Sequence, residues 1–140
     1  LVIVGRIGKS DDRFADRLKQ LSDGSSSIYW LDFVSDPMLK TLYRHAAGTL
    51  MASRGEGFGL PLVEAAYYGS PLIARNLPVF REICGEFAWY FESTDGKGLA
   101  RELQAWLRAY NEGVLPDSSW MPSIDWKQSA AQLIESVIRR

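Results

Sequence analysis

Two carboxylates bracket a glycine-rich run in Ser53-Arg54-Gly55-Glu56-Gly57-Phe58-Gly59-Leu60-Pro61-Leu62-Val63-Glu64. Three glycines, Gly55, Gly57 and Gly59, let the backbone approach a ligand closely. Pro61 suits a first helical position, where its missing donor would be unpaired in any case. The amides of that first turn face the loop and form a site for anions such as phosphate. Glu56 lies in the loop and Glu64 one turn into the helix. A phosphate cradle flanked by acceptor-only carboxylates fits a ligand carrying both a phosphate and several hydroxyls, and a nucleotide sugar is such a ligand.

Each of these residues also has a plainer reading. Glu56 could be a solvated loop side chain, and Glu64 could simply favour the helix dipole. Phe58 is equally suited to plug the core and hold the loop in shape. Phe33 and Val34, past the end of a strand, could wall an apolar moiety or pack as ordinary strand-end residues. Arg6 and Lys9 could neutralise phosphate, with surface charge the preferred reading, and Arg54 is a better-placed cation. A single histidine, His45, leaves no metal cluster and no histidine-based triad. Cys84, the one cysteine, has no partner and reads as a small buried residue, which suits a reducing cytosol. Trp106 is spaced to sit on the core face of a helix. No Asp-x-Asp occurs in the chain, so amides and Arg or Lys would meet a diphosphate, not a carboxylate-held divalent metal.

The elements that must position these groups alternate. Short β-branched or apolar runs predict strands at 1–4, 28–31, 48–51, 71–74 and 88–91, the first of them buried. Between them lie helices: one capped by Ser10-Asp11-Asp12 with Phe14, Leu18 and Leu21 inward, and one opened by Asp36-Pro37 with Met38, Leu39, Leu42 and Tyr43 inward. Further helices are predicted at 61–68, near Phe80, at 99–110 and at 126–139, with a loop over 111–123. This order implies an α/β fold, a Rossmann-like parallel sheet with helices on both faces and right-handed crossovers. Ligands of such sheets bind beyond the C-terminal strand ends, where the glycine loop and Phe33-Val34 both emerge.

At 140 residues the whole chain, 1–140, reads as one domain with room for a core. A net charge of −1 argues against a nucleic-acid surface. No apolar run approaches a membrane span, and the opening residues do not read as a signal peptide. Because the chain opens inside a core strand, it reads as a piece of something longer.

The run Glu56-Gly57-Phe58-Gly59-Leu60-Pro61-Leu62-Val63-Glu64-Ala65, with its E-x7-E spacing, resembles the donor-site motif of retaining GT-B glycosyltransferases of family GT4. Leu31-Asp32-Phe33-Val34-Ser35-Asp36 with Leu42-Tyr43-Arg44-His45-Ala46 resembles that family's nucleobase loop and following helix. Gly69-Ser70-Pro71-Leu72-Ile73-Ala74 resembles its next strand, and Trp126 its recurring tryptophan before the final helix. The run from Ala74 to Glu82 looks most like bacterial mannosyltransferase-type members that build O-antigen or similar polysaccharides.

The resemblance implies the C-terminal, nucleotide-sugar-binding half of a GT-B enzyme. It also implies that the N-terminal acceptor domain and this domain's first strand, with its phosphate-binding Arg and Lys, have no counterpart here. Such a half is not expected to transfer sugar by itself. By resemblance, Glu56 lies near the donor sugar and serves catalysis, and Glu64 accepts from the ribose hydroxyls. Gly57, Phe58, Gly59 and Leu60 donate backbone N–H groups to sugar and phosphate, and Phe33 and Val34 hold the base. The implied donor is GDP-mannose or a UDP-sugar, with no metal or other cofactor, and the acceptor is a glycan or lipid-linked glycan. The implied location is cytoplasmic, at the inner face of the membrane if the full-length enzyme associates with it peripherally. A nucleotide-binding or regulatory module without chemistry is the rival reading. A glycosidase is a weaker rival, since its two carboxylates must flank one sugar.

Overall fold

The alternation predicted from sequence becomes eleven regular elements in a computed structural model, which describes residues 1–6, 12–24, 27–122 and 126–138. They are β1 (Val2–Val4), α1 (Asp12–Asp23), β2 (Tyr29–Leu31), α2 (Asp36–His45), β3 (Thr49–Met51), α3 (Leu60–Tyr67), β4 (Leu72–Arg75), α4 (Pro78–Cys84), β5 (Ala88–Phe91), α5 (Gly96–Glu112) and α6 (Trp126–Ile138). A 3-10 turn at Ser118–Trp120 interrupts the loop expected over 111–123. Every strand pairing is parallel, so the α/β class read from the sequence holds. The hydrogen bonds form two ladders, β1-β2 and β3-β4-β5, where one sheet was expected. Strands of three or four residues carry few ladder bonds, so side-chain packing around each one decides its partners. The proposed capping residues Ser10 and Asp11, and Lys9, lie outside the described residues, as does the side chain of Trp126.

The chain divides into two compact units, Leu1–Thr41 and Leu42–Arg140. In the first, β1 pairs with β2 from Val2↔Tyr29 to Val4↔Leu31. Ser22 on α1 accepts the Trp30 N–H at 3.1 Å, and the Trp30 indole donates to the Gly5 carbonyl at 3.0 Å. Leu18 is the buried member of α1's apolar stripe, whereas Phe14 and Leu21 are exposed. The prediction that the first strand is buried fails: Val2 and Val4 are 44% and 41% exposed. Among the described residues β1 has one ladder neighbour, β2, and α1 packs on β2, so β1 has less cover. On the predicted inner face of α2, Met38 is exposed and Leu39 half-buried.

The second unit holds the dry core. β4 runs between β3 and β5 in the registers Thr49↔Leu72 and Leu72↔Ala88. Leu72, Ile73 and Ala74 are all buried, as expected of a central parallel strand covered on both faces. Ile73, Phe91 and Trp106 form one cluster, joined by Leu50, Leu99 and Leu103. Trp106 lies so close to Gly48 that a β-carbon there would stand 2.7 Å from the indole ring. Residue 48 must therefore be glycine for α5 to reach the sheet. Phe80, Phe91 and Leu62 are fully buried, each contributing roughly 1.5–3 kcal/mol relative to exposure. Cys84 is buried too, and burial pushes its thiol up to about 11.

Helix ends follow local chemistry. Asp95 caps α5 by accepting the Gly98 N–H at 2.6 Å, which starts the helix three residues before the first predicted position. Gly113 closes it in the left-handed region at φ 70°. Ser118 in the 3-10 turn donates to the Ser70 carbonyl at 2.8 Å, tying the loop to the start of β4. Along α6, Leu133, Ile134, Val137 and Ile138 are exposed. Among the described residues no helix is long and apolar enough to cross a membrane.

Candidate donor site

The chain leaves β3 at Met51 and must reverse into α3 within eight residues. Gly59 makes the turn in the left-handed region at φ 95°, a conformation that favours glycine. A β-carbon on Gly59 would stand 2.8 Å from Cε1 of the fully buried Phe80, so the loop rests directly on the core. The helix begins at Leu60, one residue before the predicted start, which puts Pro61 in the second helical position. The Leu62 N–H closes the first turn on the Gly59 carbonyl at 2.9 Å. Proline is tolerated there because its missing N–H falls in the first turn, ahead of the i→i−4 ladder.

Among the described residues, the N–H groups of Phe58, Gly59 and Leu60 have no protein acceptor. These consecutive donors at the positive end of α3 suit an anion. The Gly57 N–H, the other predicted donor, is taken by the adjacent Glu56 carboxylate at 3.2 Å. Glu56 is exposed and makes that bond to its own neighbour. Phe58 is 53% exposed, which removes the reading of it as a core plug. Phe80, twenty-odd residues later in the chain, does that work instead.

Glu64 is differently placed. Its Oε2 accepts from the Tyr43 hydroxyl at 3.1 Å. Tyr43 is 8% exposed, and its ring stacks on Tyr68 with centroids 6.0 Å apart. Burial first, then the Glu64 charge and the hydrogen bond, push the Tyr43 hydroxyl well above the usual tyrosine range. Tyr43 thus keeps its proton and donates a hydrogen bond to the Glu64 carboxylate. The sequence marked it as an inward-facing residue of α2 and gave no sign of this bond.

Arg75, at the end of β4, was also missed. Its Nε donates to the carbonyls of Ala52 at 3.3 Å and Ser53 at 2.9 Å. Its Nη2 reaches Ala52 at 3.2 Å, and its Nη1 donates to the Ser93 carbonyl. The guanidinium sits over the Phe91 ring at 5.1 Å. One side chain therefore fixes the exits of β3 and β5. Its position at the end of an apolar run was the only available signal.

Beside it, Asn76 donates to Glu92 at 2.6 Å and accepts from Arg81 Nε at 2.6 Å. Arg81 stacks over Tyr90 at 3.7 Å, and the Tyr90 hydroxyl donates to the Gly85 carbonyl at 2.8 Å. Burial pushes the Tyr90 hydroxyl up to about 12, with Cys84 adding and Arg81 opposing. Arg54 reaches the Thr94 carbonyl at 3.5 Å, the limit of a hydrogen bond. His45 and Arg6 are exposed. Among the described residues no group of three His, Cys, Asp or Glu side chains converges as a metal site would require.

In the unit Leu1–Thr41, Phe33 is 70% exposed and Val34 half-buried. Phe33 is therefore not packed at its strand end. The structure thus brings together Gly57 to Leu60 at the start of α3 with Glu56 before and Glu64 after them, and places Phe33 and Val34 in the other unit.

The sequence matches the family described as Glycosyl transferases group 1 over residues 1–113. It is 38% identical to the serotype-specific mannosyltransferase WbdA of Escherichia coli over 98% of this chain and 17% of that protein. It is 37% identical to the O-antigen chain mannosyltransferase RfbU of Salmonella typhimurium over 50% of this chain and 20% of that protein. It is 30% identical to the O-antigen chain mannosyltransferase B of Escherichia coli over 86% of this chain and 29% of that protein. The chain thus spans less than a third of the length of each of these relatives. A family match over most of the chain, on parallel strands flanked by helices and a glycine loop entering α3, has one meaning: the chain belongs to the group 1 glycosyltransferases and carries their Rossmann-like half of the GT-B fold.

Proposed function

We propose that this chain is the donor-binding half of a retaining glycosyltransferase that moves a sugar from a nucleoside diphosphate to an acceptor hydroxyl. The observation that carries the reading is the start of α3, where the unpaired N–H groups of Phe58, Gly59 and Leu60 lie between Glu56 and Glu64. In this reading the amides and the helix take the diphosphate without a metal, and Arg54 adds positive charge. Glu64 accepts from the two ribose hydroxyls, a pairing that suits a fixed carboxylate. Glu56 swings from the Gly57 amide to the sugar hydroxyls and supports charge at the anomeric carbon. Phe33 and Val34 take the nucleobase. Catalysis rests on positioning and on donors aimed at the departing phosphate.

The mannosyltransferases among its relatives, two of them O-antigen chain mannosyltransferases, support mannose as the sugar. GDP-mannose is then the donor and a glycan or lipid-linked glycan the acceptor. A UDP-sugar is the alternative donor. Polysaccharide assembly of that kind suits a protein working at the cytoplasmic face of the membrane and held there peripherally.

The test is titration of UDP and GDP into the isotope-labelled chain, followed by amide shifts. Shifts are expected at 57–60, at Glu64 and at Phe33 and Val34; shifts confined to other residues would sink the site. Glu64→Ala should weaken binding by about 1–3 kcal/mol, the scale of a hydrogen bond to a charged group. Glu56→Ala should affect the bare nucleotide less and turnover of the full-length enzyme more. The opposite ranking would reverse the two roles.

A further inference from the structure

Glu64 is a surface carboxylate on a helix, and such a group ordinarily rotates freely about its last bond, which has no sharp rotamer preference. Here one oxygen is held. The Tyr43 hydroxyl donates to Oε2 at 3.1 Å. Tyr43 is itself immobilised: it is buried, and its ring lies almost parallel to that of Tyr68, at 13° and 6.0 Å. Tyr68 is fixed in turn by its place at the end of α3, where its N–H bonds the carbonyls of Glu64 and Ala65 at 3.2 and 3.1 Å. The Arg44 guanidinium lies over the Tyr68 ring, 5.3 Å from its centre. The carboxylate, the tyrosine and the helix end form a closed loop of contacts within Leu42–Arg140.

A vicinal diol makes its best contact with a carboxylate when both oxygens accept in one plane. A hydroxyl that fixes Oε2 leaves Oε1 and the second lone pair of Oε2 free and sets that plane in advance. We infer that Tyr43 is a positioning residue that presets the Glu64 carboxylate for the ribose diol of the donor, and so sharpens the choice of ribonucleotides over deoxyribonucleotides. The inference rests on the assignment of Glu64 to ribose made above. Ordering one free side chain on binding costs enough to change affinity about five-fold, and Tyr43 removes that cost beforehand.

The experiment uses UDP, GDP and their 2′-deoxy and 3′-deoxy forms with the wild-type chain, Tyr43→Phe and Glu64→Gln. Phenylalanine keeps the ring that stacks on Tyr68 and deletes only the hydroxyl. Tyr43→Phe should weaken the ribonucleotides about five-fold and leave the deoxy forms unchanged, so that the ratio between them falls. A merely structural role would weaken both alike, and that result overturns the inference. A wild-type chain that does not discriminate ribose from deoxyribose overturns the ribose assignment itself.

A second readout needs no nucleotide. With tyrosines labelled at Cζ, the Tyr43 resonance at neutral pH should shift in both Glu64→Gln and Glu64→Ala, because its hydroxyl loses a charged acceptor. A Tyr43 resonance unchanged in both variants would show that the contact is not made in solution. If ribose discrimination is present, is lost in Glu64→Gln and survives intact in Tyr43→Phe, the ribose assignment stands and this inference alone falls.

Discussion

From Arg54 to Phe58 the glycine motif stands in solvent, whereas from Gly59 to Glu64 it is fastened to the interior. Gly55 and Gly57 have open space where a β-carbon would go, and among the described residues Glu56 is held by the next amide alone. Gly59 rests on Phe80, Leu62 is fully buried, and Glu64 is tied to a buried tyrosine. The same glycine spacing thus does two jobs. Gly59 is required by a contact with the core, whereas a β-carbon at Gly55 or Gly57 would meet open space. In the proposed function the exposed arm carries Glu56 toward the sugar, and the root holds the Gly59 and Leu60 amides in place for phosphate.

The sharpest test of that contrast compares two phenylalanines. Phe80→Ala removes the support under Gly59 and should cost about 3–5 kcal/mol of stability. Phe58→Ala, at the exposed tip, should change it by less than about 0.5 kcal/mol. Urea unfolding gives both values, and comparable losses would erase the distinction between root and arm.

A similar comparison holds for the glycines, with a smaller effect. Gly59→Ala adds about 1–2 kcal/mol of left-handed strain to an overpacking cost of about 1–3 kcal/mol against Phe80. Gly57→Ala meets neither term, since it has open space and no positive φ. The midpoint of denaturation should therefore drop for the first variant and stay for the second. A drop in both would mean that the arm also is held by its backbone.

The smallest expected effect is on pH. Cys84, Tyr90 and Tyr43 all belong to the buried side, and all keep their protons more tightly in the fold, the first two up to about 11 and about 12. Their ordinary values are 9.0 for the thiol and 10.0 for the hydroxyls. Above those values the unfolded chain releases protons that the folded one retains, so stability is full below about pH 9 and is lost as pH rises toward the folded values. Thermal unfolding at pH 8 and pH 10.5 measures the difference. Cys84→Ala should make the loss begin nearer pH 10, and an onset unmoved by that change would remove the thiol from the account.

What could be read from the sequence divides along the same line. The glycine-rich loop and the proline-opened helix after it are local features, and the helix starts within one residue of its predicted place. Trp106 and Cys84 are core residues as their spacing and chemistry suggested. The long-range partners were not legible: Phe80 beneath Gly59, Tyr43 on Glu64, and Arg75 on Ala52, Ser53 and Ser93. Each joins residues about twenty apart that have no common pattern, and only the crossover of a helix between parallel strands brings them together. The exposure of Val2 and Val4 was hidden for a related reason, because an apolar run states what it could bury and not what is available to cover it.

Arg75 has one more consequence. Each of its hydrogen bonds ends on a main-chain carbonyl, and its stacking partner is a ring in the neighbouring strand. Such an anchor is indifferent to the side chains at positions 52 and 53. Substitutions there can alter the chemistry presented around the mouth of the loop while its attachment stays the same. The fold thereby separates heritable variation in what the loop contacts from variation in where it stands, so new specificities can arise without rebuilding the frame.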